Sequence, residues 1–154
     1  MTETRKAIQK LVIAISNFEK IYTVNTPKIG RQSTELWLLY ALNDGESHSQ
    51  KQICEEWGFP RSTLNTVTKK CEADGYLTLT PISGKRREMQ IGLTEKGKDH
   101  ADQILNVIYR SENRAMEKIL KTYSADFIDI LDEFVECLKS AFEEENDVIK
   151  REGI

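Results

Sequence analysis

Proline and glycine are scarce in this chain, 3 and 8 of 154 residues. So few breakers exclude collagen-like and low-complexity architectures and leave room for long helices. Cysteine is scarce too. Cys54, Cys71 and Cys137 are odd in number and share no ligand-like spacing, which argues against a disulfide framework and against a cysteine-built zinc site. His48 and His100 lie far apart in sequence and are too short of Cys or acidic companions to argue a metal site, so no metal is expected. Long apolar runs are missing. The segment Met1 to Lys10 is polar, and the run Leu11 to Ile15 is far short of the roughly 20 residues that span a bilayer. The expectation is a cytoplasmic protein with no membrane partner. There is also no glycine-rich phosphate loop, no HExxH, and no Ser, Cys or acid pair in a catalytic context. Neither enzymatic activity nor a cofactor is expected.

What is present is a globular composition, 39% hydrophobic and 31% charged. A chain of this length buries roughly 70% of its unfolded surface without a metal or disulfide staple. The net charge of −3 hides an asymmetry. Residues 1–48 carry 6 Lys/Arg against 5 Asp/Glu, residues 49–98 carry 9 against 6, and residues 99–154 carry 7 against 14. Exposed charges are screened beyond about 8–10 Å, so a basic face in the middle segment can coexist with an acidic C-terminal part.

Hydrophobic spacing gives the organisation. Ile8, Leu11, Val12, Ile15, Phe18 and Tyr22 recur three or four apart between Thr4 and Tyr22, one face of a helix. Ala7, Ala14 and Ile21 form a second repeat, as on a helix that meets more than one surface. Thr23 to Arg31, with Pro27 and Gly30, reads as a loop. Ser33 is placed as the N-cap of a short buried helix over Leu36 to Leu42. Ser49-Gln50-Lys51-Gln52 matches a capping box and opens a helix carrying Ile53, Cys54 and Trp57, which stops at Gly58. After Phe59-Pro60 a further helix runs to about Glu72, with Leu64, Val67 and Cys71 inward, and Asp74-Gly75 ends it. Tyr76–Pro81 and Glu88–Leu93 alternate as two strands around the basic turn Ile82 to Arg87. Thr94 then caps a long helix broken near Tyr123, and Ser124 with Asp126 caps a last one.

Residues 49–97 carry the functional argument. In a helix-turn-helix the first helix braces the second, whose N-terminal part enters a major groove. With Leu64, Val67 and Cys71 inward, the outward positions are Arg61, Ser62, Thr63, Asn65, Thr66, Lys69 and Lys70. Arg grips guanine and Asn grips adenine bidentately, while hydroxyls and lysines reach phosphate oxygens. Such a polar face is by itself compatible with plain solvation. The second element is Lys85-Arg86-Arg87 at the hairpin turn, long cations suited to the negative potential of a minor groove. A reading helix followed by a basic β-hairpin is a winged helix.

Gln50 to Gly58 (QKQICEEWG), Ser62-Thr63-Leu64-Asn65, the exit Asp74-Gly75-Tyr76-Leu77 and Leu93-Thr94-Glu95-Lys96-Gly97 after the wing resemble the MarR family of transcriptional regulators. The motifs cover about 50 residues, and helix order agrees over the whole chain. The resemblance implies a homodimer whose first and last helices interlock, and two winged heads reading a pseudo-palindromic duplex. It also implies release of DNA on binding a small phenolic or anionic effector, or on cysteine oxidation. One departure stands out. The family's wing usually carries Asp-x-Arg, whereas Lys85, Arg86 and Arg87 occupy those positions here, so the buttressing acid is missing.

The fold expected is mainly α with a small β-hairpin wing. A winged helix-turn-helix part over 32–97 joins a helical dimerisation part over 4–22 and 95–149, in one domain over 1–154. Trp37 and Tyr40 lie where the family forms a ligand cleft, although a core role fits them as well. Cys54 and Cys71 fall on inward helix faces, where cysteine behaves as a small apolar residue. The function expected is a homodimeric repressor binding double-stranded DNA. The alternatives are a winged helix that docks a protein and a redox-responsive sensor.

Overall fold

Three- and four-residue apolar spacing is realised as helix along most of the chain, here in a computed structural model that describes residues 2–26, 33–85 and 88–152. Among these are the helices α1 (Glu3–Asn25), α2 (Ser33–Leu42), α3 (Gln50–Trp57), α4 (Arg61–Ala73), α5 (Glu95–Leu120) and α6 (Asp126–Glu152). The strands are β1 (His48–Ser49), β2 (Leu77–Pro81) and β3 (Met89–Leu93). The chain divides into two compact units, Met1–Val107 and Ile108–Ile154.

In the first unit the core is Leu36, Leu38, Leu39 and Leu42 of α2, Ile53 of α3, Leu64, Val67 and Cys71 of α4, Leu77 and Ile91 of the sheet, and Ala101 and Leu105 of α5. The expected hairpin is a three-stranded antiparallel sheet in the order β1-β3-β2. β2 and β3 pair from Leu77 opposite Leu93 to Pro81 opposite Met89, and β1 sets His48 against Ile91. Two residues are too few to show alternation, and Ser49 of β1 is also the cap of α3, so this strand left no periodic mark.

Two boundaries differ from the sequence reading. The loop placed at Thr23 begins later, since α1 continues through Asn25. Thr23 donates its hydroxyl to the Glu19 carbonyl at 2.9 Å and Asn25 its amide to the Ile21 carbonyl at 2.7 Å, so these polar side chains fold back along the helix rather than opening a turn. Ser33, expected as a cap, is itself the first residue of α2.

The joint between the end of α4 and the start of α5 accounts for the two motifs on either side of the sheet. Thr94 donates its hydroxyl to the Gly75 carbonyl at 2.7 Å and accepts from the Gly97 amide at 2.9 Å, while its own amide donates to the Tyr76 carbonyl at 3.0 Å. Lys96 donates to the Asp74 carbonyl at 2.7 Å and lies 4.9 Å from the Tyr76 ring centre. The Tyr76 ring stacks on His100 at 4.1 Å, nearly parallel. Gly97 is required by this closeness, because a Cβ there would overlap the Tyr76 carbonyl.

The second unit holds the C-terminal part of α5 and α6. Carbonyl Ile119 accepts from the amides of Thr122 and Tyr123, closing α5, and the Ser124 hydroxyl accepts from the Asp126 amide at 3.3 Å, opening α6. Phe127, Ile130, Val135, Leu138 and Phe142 are exposed, so this helical pair leaves much of its apolar surface uncovered.

Gly97→Ala is expected to lower stability by about 2–3 kcal/mol, as for overpacking against a rigid neighbour, read as a reduced midpoint in urea. A midpoint equal to that of the unmodified chain would contradict the close approach.

Candidate nucleic-acid interface

The bracing helix is fixed at both ends by local chemistry. Ser49 accepts from the Gln52 amide at 3.1 Å, and the Gln52 side chain accepts from the Ser49 amide at 2.9 Å, a complete capping box. At the other end Gly58 adopts φ 65°, the left-handed conformation in which a side chain would be strained. Only Phe59 and Pro60 then separate it from α4.

Pro60 stands at the N-cap of α4 and offers no side-chain hydrogen bond. The first backbone bond of that helix runs from the Leu64 amide to the Pro60 carbonyl. The first turn of α4 thus has no side-chain cap from Pro60, and its amides lie at the positive end of the helix dipole, the kind of end where a phosphate oxygen finds donors. The sequence reading passed over this, though a proline in the cap position was its visible sign.

Inward, α4 buries Leu64, Val67 and Cys71 as expected, and also Thr68, whose hydroxyl is satisfied by the Leu64 carbonyl at 2.8 Å. Outward, Arg61, Ser62, Thr63, Asn65, Thr66, Lys69 and Lys70 are all exposed. They are not equivalent. Thr66 donates its hydroxyl to the Ser62 carbonyl at 3.0 Å. Lys70 donates to Glu35 at 2.8 Å, and Glu35, on α2, is 2% exposed. The hydrogen bond to that carboxylate, with its charge, holds the Lys70 ammonium above its ordinary value.

The wing turn is closed by the Ile82 amide on the Glu88 carbonyl and the Lys85 amide on the Ile82 carbonyl, both at 3.1 Å. Lys85 is exposed and its ammonium lies 3.1 Å from the Glu88 carboxylate. An acid is thus supplied to the wing from the strand side. Arg86 and Arg87 lie outside the described residues. Between α3, α4 and β3 a cleft of about 540 Å3 is bordered by Lys51, Cys54, Arg61, Ser62, Asn65 and Met89. Cys54, expected inward, is half-buried at this cleft, whereas Cys71 is fully buried.

Trp37 and Tyr40 are half-buried and belong to a ring cluster joining α1, α2 and α3. Trp37 lies 5.1 Å from Tyr22, 5.4 Å from Tyr40 and 6.4 Å from Trp57, centre to centre, and Tyr22 continues the chain of rings to Phe18 at 5.0 Å. Edge-on aromatic contacts of this kind stabilise beyond the area they bury.

The sequence model of the MarR family matches residues 29–88, a span that includes α2, α3, α4 and β2. In this winged head the chain is similar to the MarR family. Over 80 residues the chain is 34% identical to the HTH-type transcriptional regulator SarZ of Staphylococcus epidermidis, a match covering 52% of this chain and 54% of that one. The chain thus spans about half the length of the curated relatives it matches. Among solved structures, NMB1585, a MarR family regulator from Neisseria meningitidis, superposes with a TM-score of 0.66 at 21% identity, covering 94% of this chain and 99% of that one. NadR in complex with 4-hydroxyphenylacetate superposes with a TM-score of 0.58 at 14% identity, covering 90% and 92%. The MarR winged-helix fold is therefore common to all three. Among the described residues no helix is long and apolar enough to cross a membrane, and no group of three His, Cys, Asp or Glu could hold a metal ion.

Burial pushes the Cys54 thiol up, with the Arg61 charge opposing in part. A raised thiol is mostly protonated near neutrality and reacts slowly. Alkylation mapped by mass spectrometry is expected to be slow at Cys54 at neutral pH and to accelerate above the ordinary thiol range of about 8.5, with Cys71 unlabelled in the folded chain. Rapid labelling of Cys54 at neutral pH would instead favour a redox-responsive role.

Proposed function

We propose that the chain is a sequence-specific, double-stranded-DNA-binding transcriptional regulator of MarR type, acting as a homodimer and repressing by occupying its site. The observation carrying this reading is the exposed row Arg61, Ser62, Thr63, Asn65 and Lys69 on a helix whose opposite face is the core of the winged head. The first turn of α4, which lacks a side-chain cap, supports the reading as well, since in it this is the end that enters the groove. In this reading α4 lies in a major groove, with Arg61 and Asn65 toward base edges. Lys85, Arg86 and Arg87 of the wing meet phosphates or an adjacent minor groove.

The dimer is supported by apolar side chains with no cover in one copy. On α1 these include Val12, Ile13, Phe18, Ile21 and Val24, and on α6 Phe127, Ile130, Val135, Leu138 and Phe142. Exposed rows of this extent mark an interaction surface. A second copy of this chain brings two heads to one duplex, which calls for a near-palindrome with half-sites about one helical turn apart. A small effector is the last part of the proposal. NadR was solved with 4-hydroxyphenylacetate, and the half-buried rings of Trp37 and Tyr40 would offer such an acid an aromatic wall.

Four outcomes check this reading. Selection of bound duplexes from a random pool at physiological salt is expected to return a two-fold symmetric consensus, and an asymmetric or absent consensus would count against it. Lys69→Ala should flatten the dependence of log affinity on log salt by about 0.9 per lost phosphate contact. Asn65→Ala should relax base preference at one position per half-site with the salt dependence kept, at a cost of about 1–3 kcal/mol. Titration with aromatic acids is expected to quench tryptophan emission and to weaken duplex binding in parallel, and quenching without that weakening would remove the effector from the scheme.

A further inference from the structure

We infer that Lys70 is a positioning residue rather than a phosphate contact: through the buried Glu35 carboxylate it ties the C-terminal half of α4 to the first turn of α2. This rests on the DNA-binding reading proposed above and changes the assignment of one member of its outward face. Lys69 and Lys70 are neighbours, both exposed along their stems, and sequence alone gives them the same role. Their ammonium groups differ. Lys69 makes no ion pair among the described residues, while Lys70 lies 2.8 Å from a Glu35 oxygen in hydrogen-bonding geometry.

Glu35 is 2% exposed, and Lys70 keeps 55% of its side chain in solvent. The pair is therefore one-sided: the carboxylate is the buried member, and Lys70 holds a cation against it from the surface. The acid sits in the first turn of α2, where the helix dipole also favours a negative charge. α2 is the central buried helix, and α4 packs directly on it. A cation committed to that carboxylate adds no net charge to the reading face, since the two formal charges cancel within 3 Å. It releases no counterion when a duplex arrives. Its contribution to affinity is conformational, because a ligand's apparent dissociation constant rises by the inverse of the fraction of protein in the competent arrangement.

Glu35→Gln separates the two roles by sign. The substitution keeps the shape, adds one positive charge overall and frees Lys70. If Lys70 were a phosphate contact restrained by Glu35, the variant would bind a duplex more tightly and with a steeper salt dependence. As a tether, Glu35→Gln is expected to bind the duplex recovered by selection about tenfold more weakly, as when the competent fraction falls to about one tenth, with its salt dependence unchanged. Lys70→Met is expected to behave in the same way, and Lys70→Arg, which keeps a donor on Glu35, to regain most of the affinity. The control is Lys69→Ala, whose salt dependence should fall by about one contact.

Tighter binding by Glu35→Gln, or a salt dependence lowered by about one contact in Lys70→Met, would overturn the inference. Amide hydrogen exchange on the full-length variants provides a readout independent of DNA. Faster exchange from Val67 to Ala73 in both Glu35→Gln and Lys70→Met supports the tether, and unchanged protection there refutes it. If selection recovers no duplex at all, the DNA-binding reading fails by itself, and the exchange data still decide whether the pair holds α4.

Discussion

A helix that presents one face to solvent must have its other face held still, and in this chain that constraint is met by the packing of α4. Leu64, Val67, Thr68 and Cys71 are buried along one side, spaced so that no outward residue is needed to complete the core. The positions of α3, the sheet and the start of α5 all follow from the need to support this helix. Gly58 lets α3 stop within two residues of the Pro60 cap, and the sheet carries the chain from the exit of α4 to Thr94. The Gly97–Tyr76 approach then brings the start of α5 so close to the same exit that no side chain fits between them. Each device acts on one end of α4, so loosening any of them would be felt on the open face.

Much of this was legible before any coordinates, wherever one residue type has one local use. The capping box at Ser49 and Gln52, the left-handed glycine at position 58, the inward triad of α4 and the Thr94 cap each need only a few neighbours in sequence to be recognised. The motif from Leu93 to Gly97 was recognisable by resemblance, but its cause was not. The glycine answers to a carbonyl about twenty residues earlier, and the lysine to the carbonyl and ring of Asp74 and Tyr76.

What escaped the sequence reading is long-range or very short. The pairing of Lys70 with Glu35 spans 35 positions, and nothing local distinguishes Lys70 from Lys69. Trp57 and Tyr22 join Trp37 and Tyr40 in one ring cluster, which periodicity within each helix could not assemble. β1 has two residues, below the length at which alternation exists. The helical course of Thr23 to Asn25 was hidden because Thr and Asn have low helix preference in isolation, and here their side chains bond back onto α1. Cys54 reads as inward from spacing alone, yet its helix borders a cleft, and the thiol is only partly covered.

The charge distribution sets what kind of partner each part of the chain tolerates. The overall −3 would oppose a polyanion if it acted as a point, but screening confines exposed charges to roughly a Debye length, about 8 Å at physiological salt. Within the middle segment the cations Arg61 and Lys69 are exposed, and acids near them are partly spent on internal work: Glu35 is buried against Lys70, and Glu88 faces Lys85. The acidic excess falls instead after residue 98, where α6 alternates carboxylates with exposed Phe127, Ile130, Val135, Leu138 and Phe142. That helix combines a face that phosphate would repel with a face that water disfavours. Such a surface suits contact with another apolar helix and is unsuited to a duplex. A polar, cation-bearing helix and an acidic, apolar-faced helix in one short chain are thus two surfaces of different chemistry, and of the two the first is the one whose charge would attract a phosphate backbone.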